Sequence, residues 1–259
     1  MLRIAWAGAA LAACVALGHG FQYANWSGYV PAQAPTHWGP RVPTVGLLGG
    51  VPVHIPPGAA DYPEFDGDPA WGQWTRHVPV RTPTSSIRRF GMLLRHPELT
   101  PVHEPGPLSA GLKALEAEAD HPWVLALVLS GERFPGADAL RRFVRERVTD
   151  DAHWPAPAQQ GRQHRVDFVP PALQAARHEG LGPVPDDRHL AYDDAGHLLA
   201  YIACSNDPVL PRHCVQVWSL ERHGWPVLVS VHYRRSLEAE WAHIQRGVTN
   251  AVLTMRVAP

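Results

Sequence analysis

His197–Val252, HLLAYIACSNDPVLPRHCVQVWSLERHGWPVLVSVHYRRSLEAEWAHIQRGVTNAV, carries three strand patterns in succession and then a helical one. Leu198–Cys204, Cys214–Leu220 and Val227–Tyr233 read as the strands. In the third, Val227, Val229, Val231 and Tyr233 point to one side while Ser230 and His232 point to the other, the period-2 signature of a half-buried antiparallel strand. After Arg234-Arg235 the spacing changes, and Leu237, Trp241, Ile244, Val248 and Val252 recur at helical intervals. Ser236 is placed to cap that helix, with Glu238 and Glu240 favoured by the dipole in its first turn. Strands closed by an amphipathic helix bury one face of each element against the other, so the fold class is α+β.

Cys204 ends the first of these strands and Cys214 begins the second, with Pro208 and Pro211 in the connection. Antiparallel neighbours joined in this way bring two Cα atoms within reach of a disulfide. Closing a loop of about ten residues stabilises by roughly 2–3 kcal/mol in the chain-entropy treatment, and an oxidising compartment preserves the bond. Two reduced core thiols are the alternative. A zinc site needs four ligands, and in sequence only His213 lies nearby.

The N-terminus agrees with export. Arg3 precedes an apolar run from Ile4 to Leu17. That run is shorter than the roughly 18 apolar residues of a membrane span and fits the charged-then-apolar layout of a secretory signal. Leu11-Ala12-Ala13-Cys14 resembles the lipobox of bacterial lipoproteins, in which Cys14 would be acylated. An uncleaved signal anchor ending near Gly18–Phe21, or a buried cytosolic helix, are the other readings of the segment.

A chain of 259 residues can bury a core for one large domain or two small ones. Its net charge of −1 gives no electrostatic case for nucleic acid. Proline reaches 27 residues, 15 of them between Pro31 and Pro107, so that portion is rich in extended segments and turns. Residues 1–20 are therefore read as signal or anchor and 21–43 as a Pro-rich tether. An N-terminal α+β half follows at 44–150, an irregular linker at 151–190 that includes Val184–His189, and the meander with its helix at 191–259.

Within the N-terminal half, Thr44–Leu48 and Val51–Ile55 flank Gly49-Gly50, a two-residue hairpin turn. Ile87–Arg95 is a strand. A helix runs from a Ser109 cap through Ala119. Trp123–Ser130 is a continuous apolar run and so a central strand buried on both faces. Ala137–Val148 is helical through Leu140, Phe143, Val144 and Val148. His121-Pro-Trp123 with its strand, turn and helix echoes His223-Gly-Trp225 with the same elements about 100 residues later. The echo predicts two related halves, each an antiparallel sheet backed by one helix.

Motifs for catalysis are missing. There is no Gly-x-Ser-x-Gly elbow, no His-Glu-x-x-His helix and no phosphate-binding glycine loop. His232, among apolar strand residues, reads as a structural histidine, and Cys204 and Cys214 are committed to the bridge. Catalytic groups can still converge from distant positions, but neither an enzyme nor a cofactor or metal is expected. Binding is. Ten tryptophans are present, and Trp is a preferred interface anchor as well as a core filler. Glu64, Asp66 and Asp68 alternate along Asp61–Pro69, just ahead of Trp71 and Trp74. Too few oxygen ligands fall at the required offsets for a calcium loop, which leaves a solvated turn or a partner-binding loop.

Gly50-Val-Pro-Val53, Glu64-Phe-Asp-Gly-Asp-Pro69, Ser86-Ile-Arg-Arg-Phe-Gly91, Tyr201-Ile-x-Cys204 through Cys214, Val229-Ser-Val-x-Tyr-Arg-Arg235 and Trp241-x-x-Ile244 together cover most of the chain after the signal. In these blocks the chain resembles a family of envelope-anchored proteobacterial proteins encoded beside type VI secretion effectors, often lipases. The resemblance implies an immunity protein held in the periplasm by its N-terminal anchor, whose partner is a secreted toxic effector. It carries over no catalytic residue. An accessory or structural envelope component without a toxin partner is the alternative expectation.

Overall fold

Among the residues described by the computed structural model (43–68, 80–102, 121–130, 139–147, 164–165, 187–205 and 212–257) the chain builds eleven strands and two α-helices. All of these elements belong to one unit, Gly39–Pro259. Strands β1 (Thr44–Leu48) and β2 (Val51–Ile55) form the expected hairpin, and Gly49 and Gly50 take φ of 56° and 77°. The turn needs Gly49 for a second reason. A Cβ there would lie 2.9 Å from the Pro226 carbonyl oxygen, because the hairpin tip packs on Trp225-Pro226. Next come β3 (Asp61–Phe65), β4 (Ser86–Arg95), β5 (Thr100–Pro101), β6 (Trp123–Ser130) and helix α1 (Ala139–Arg147). The C-terminal part supplies β7 (His164–Arg165), β8 (Asp187–Tyr192), β9 (Leu198–Cys204), β10 (His213–Ser219), β11 (Val227–Arg234) and helix α2 (Trp241–Leu253).

The strands join in a single sheet in the order β2-β1-β4-β6-β11-β10-β9-β8-β7, with β3 and β5 also pairing β4. Alternation along β11 is as read from the sequence. Val227, Val229, Val231 and Tyr233 are buried on the face that receives Ile244, Val248 and Val252 of α2. Each fully buried aliphatic side chain of this kind contributes about 1.5–3 kcal/mol, an upper estimate for a compact unfolded reference. Leu228 faces the other way and packs with Val217, Tyr201 and Leu190 beneath Leu140 and Val144 of α1. The central strands are thus covered on both sides, which explains the unbroken apolar run of β6.

One sheet with a helix on each face replaces the expected pair of sheets. The former halves meet where β6 and β11 run antiparallel, from Val227 opposite Ser130 to His232 opposite Leu125. A two-fold exchanging antiparallel neighbours stands perpendicular to the sheet and would leave both helices on one face. Here α1 and α2 lie on opposite faces, so the internal echo reflects shared local patterning rather than a repeated unit.

Two local readings also change. Arg235–Glu240 is a 3-10 turn entered from extended Arg234, and no side chain caps it or α2, so Ser236 is not the cap. The stretch read as irregular around Val184–His189 contains the start of β8, an ordinary antiparallel partner of β9. Its pattern, DRHLAY, alternates too weakly to stand out from a linker. The signal, nearly all of the tether, Cys14, Trp71, Trp74, the Ser109 helix and most of the 151–190 linker lie outside the described residues. Among the described residues no helix is long and apolar enough to cross a membrane.

Candidate functional site

The acidic stretch begins as a strand and ends as a turn. Glu64 of β3 lies opposite Arg89 of β4, and its carboxylate accepts from Arg89 Nε at 2.7 Å and Nη2 at 2.6 Å. This is a bidentate pair, the strong form of the interaction. After β3 the chain turns through Phe65–Asp68, closed by the Asp68 N–H donating to the Phe65 carbonyl at 3.1 Å, with Gly67 at φ 81°. The Asp68 carboxylate accepts from the Phe65 N–H at 2.6 Å and pairs with Arg81. Arg81 also stacks 4.6 Å above the Phe65 ring.

Glu64 and Asp68 therefore build the turn. Asp66, at its tip, does not. Its side chain is 66% exposed, and its nearest cation is an equally open Arg88 at 3.7 Å. The sequence-predicted site thus separates into a rigid acidic frame and one solvent-facing charge pair, Asp66 with Arg88.

Cys204 and Cys214 form the expected disulfide. They are directly opposed on β9 and β10. The Ser205 N–H donates to the His213 carbonyl in the adjoining pair, so the cysteines occupy a non-hydrogen-bonded position, where opposed residues approach most closely. Both are fully buried. Around them lies a charged cluster drawn from four segments. Arg235 pairs with Asp187 of β8 and donates to the Ser205 carbonyl at 2.7 Å. Glu238 lies 3.7 Å from Arg235 Nε and 2.9 Å from His189 Nε2. Buried Tyr233 sits close enough that its hydroxyl is pushed well above its ordinary pKa, by burial first and by the Glu238 charge second. Neither Asp187 nor His189 was picked out by sequence reasoning, and Glu238 was read only as a first-turn residue of the helix, not as part of a site. The Arg234-Arg235 doublet was visible only as a strand end, and nothing in the spacing shows which strand edge it will face.

Other polar groups close the fold. Trp225 donates to the Leu48 carbonyl at 2.5 Å, and Trp218 donates to Thr249 Oγ1 at 3.0 Å. Tyr233 donates to Gln216 Oε1 at 3.1 Å, and Gln216 Nε2 donates to the Trp241 carbonyl at 3.2 Å, tying β10 and β11 to α2. Asp193 organises the β8–β9 turn. The backbone N–H of His197, with Arg222 and the His197 ring, holds its carboxyl well below the usual range. His96 meets Glu240 at 2.9 Å, while His243 Nε2 lies 2.7 Å from the Pro97 carbonyl oxygen. His232 stacks on His213 with ring centroids 5.9 Å apart. Each of these histidines joins one segment of the fold to another.

No protein-family profile matches the chain, and no curated protein matches it. A solved structure described as Smlt3025, an immunity protein of the Stenotrophomonas maltophilia type IV secretion system, is similar to it at 14% identity and a TM-score of 0.49. The match covers 88% of this chain and 98% of that one. Identity this low transfers neither family nor partner.

Proposed function

We propose that this is an exported immunity protein that works in the periplasm, where it binds a toxic effector of a type VI secretion system, a phospholipase in the favoured case, and blocks it by direct contact. The observation that carries the export part of this reading is the Cys204–Cys214 bond, buried in the core and set in register by β9 and β10. A bond of this kind is maintained in an oxidising compartment. The N-terminal charged-then-apolar segment adds to the export part, and the resemblance carried by the sequence blocks described above supplies the immunity part.

The contact surface is placed at the Phe65–Asp68 turn. Asp66 and Arg88 project from a frame already fixed by the Glu64–Arg89 and Arg81–Asp68 pairs. A pre-organised surface loses little entropy on binding, and a mixed charge pair selects an oppositely arranged partner. Co-expression with the effector encoded beside this chain tests the reading. Asp66→Arg combined with Arg88→Glu should reduce protection from the toxin while leaving the thermal midpoint of the body unchanged. Undiminished protection by the double variant would remove the turn from the interface.

A further inference from the structure

The oxidised staple has the makings of a second fastener. We infer that, on reduction, Cys204 and Cys214 together with Glu238 and His189 form a binding site for Zn2+. In the oxidised chain a Glu238 carboxylate oxygen and the two sulfurs all lie within 4.8 Å of one another. His189 Nε2 is 2.9 Å from Glu238 Oε1. Three donors of the kinds zinc prefers, two cysteine sulfurs and one carboxylate, are thus gathered from β9, β10 and the Arg235–Glu240 turn, and the His189 imidazole of β8 reaches the same carboxylate as the candidate fourth. Tetrahedral zinc holds such ligands at about 2.0–2.3 Å, so small side-chain rotations close the set around one ion. The cysteines are fully buried, whereas the Glu238 side chain is 27% exposed and gives the ion a way in.

The chemistry balances. A dithiol delivers two electrons and two protons to the Cys204–Cys214 bond and becomes a disulfide itself, leaving two protein thiols. Zn2+ then displaces both thiol protons and binds the thiolates. Two negative sulfurs and one doubly positive ion sum to zero, so the charge presented to Arg235, Asp187 and Glu238 is the same as with the neutral disulfide. Either fastener ties β9 to β10, and the metal additionally ties both to β8 and the 3-10 turn. Sequence spacing hides this site because His189 and Glu238 flank the cysteines only through strand pairing and the return of the chain after β11.

The test uses the full chain carrying Cys14→Ser, so that two thiols remain. It is reduced with dithiothreitol, desalted under nitrogen and titrated with Zn2+ in competition with a chromophoric chelator. One Zn2+ per reduced chain is expected, with none in the oxidised chain beyond that bound by a Cys204→Ser/Cys214→Ser variant. Glu238→Gln should weaken binding at least tenfold, in the range seen when the surroundings of a zinc site are disturbed. Cd2+ in place of Zn2+ should give thiolate-to-metal absorption in the reduced protein alone. Because metal bound to the native state raises its stability, Zn2+ should also raise the thermal midpoint of the reduced chain, and less so with Glu238→Gln. Equal Zn2+ affinity in the reduced chain and the double serine variant would overturn the inference. So would an unchanged affinity in Glu238→Gln, or a reduced chain whose near-ultraviolet circular dichroism Zn2+ fails to restore.

Discussion

Gly247 lies in the middle of α2, where helix propensity alone argues for replacing it. Gly→Ala in a helix interior stabilises by about 1 kcal/mol. The structure predicts the opposite sign. A Cβ on Gly247 would stand 2.3 Å from Leu99 Cδ1 and 2.7 Å from Leu99 Cβ. The first atom is the end of a side chain and could swing away in open space, but Leu99 is buried to 3% exposure. The second cannot move without its backbone, which is held at φ 53° by the turn after β4. Forcing an extra carbon into a packed contact costs about 1–3 kcal/mol, and the fixed Cβ places this site near the upper end. Gly247→Ala should therefore destabilise by about 1–2 kcal/mol net of propensity. Urea unfolding read by linear extrapolation measures it. Asn250→Ala, at an exposed α2 position, serves as the propensity control and should stabilise by about 0.5 kcal/mol. In a Leu99→Gly background, which removes the opposing Cβ, Gly247→Ala should become neutral or stabilising, a coupling a double-mutant cycle isolates. A Gly247→Ala protein at least as stable as its parent would refute the seating of the post-β4 turn on α2.

Three further outcomes follow from named contacts. Cys204→Ser/Cys214→Ser should lower stability by roughly 2–3 kcal/mol, the loop-closure value for a separation of 10 residues, and addition of a reductant should shift the thermal midpoint of the parent but not of the variant. Glu64→Gln breaks a part-buried bidentate pair with Arg89 and should cost about 1–2 kcal/mol, whereas Asp66→Asn, exposed at the turn tip, should stay within about 0.5 kcal/mol; equal effects at the two positions would contradict the division of the acidic stretch. Burial lowers the pKa of His121 below the ordinary imidazole value of 6.5, so the unfolded chain takes up its proton first. Its contribution should accordingly be unchanged above pH 6.5 and turn against the folded state as the pH falls below it, a slope in the urea midpoint that His121→Gln should flatten.

What the sequence discloses follows from the range of the interactions involved. Strong period-2 alternation in Val227–Tyr233, the glycine pair between β1 and β2, and the apolar run of β6 are local signals, and those elements sit where they were read. The opposed cysteines were legible for the same reason, since short antiparallel connections set register locally. Pairing between β6 and β11 is a long-range event. It turned two imagined sheets into one because β6 is apolar on both faces and β11 buries its Val227–Tyr233 face beside it, so the pairing leaves neither with an open edge. The 3-10 turn at Arg235–Glu240 escaped notice because its stripe residue Leu237 also fits an α-helical period. At the candidate site, alternation of Glu64, Asp66 and Asp68 was plain, but the arginines that absorb two of them, Arg81 and Arg89, come from a distant strand and its approach. Only pairing with β4 distinguishes frame from surface.

The account stands or falls on whether this chain recognises and silences a toxin. The most direct measurement takes the toxic effector proposed as its partner and titrates that enzyme's activity with the purified, oxidised chain. Activity falling to zero at one equivalent, with a stable complex on gel filtration, is the predicted result. Full effector activity in a large excess of the folded, disulfide-bonded protein would contradict it.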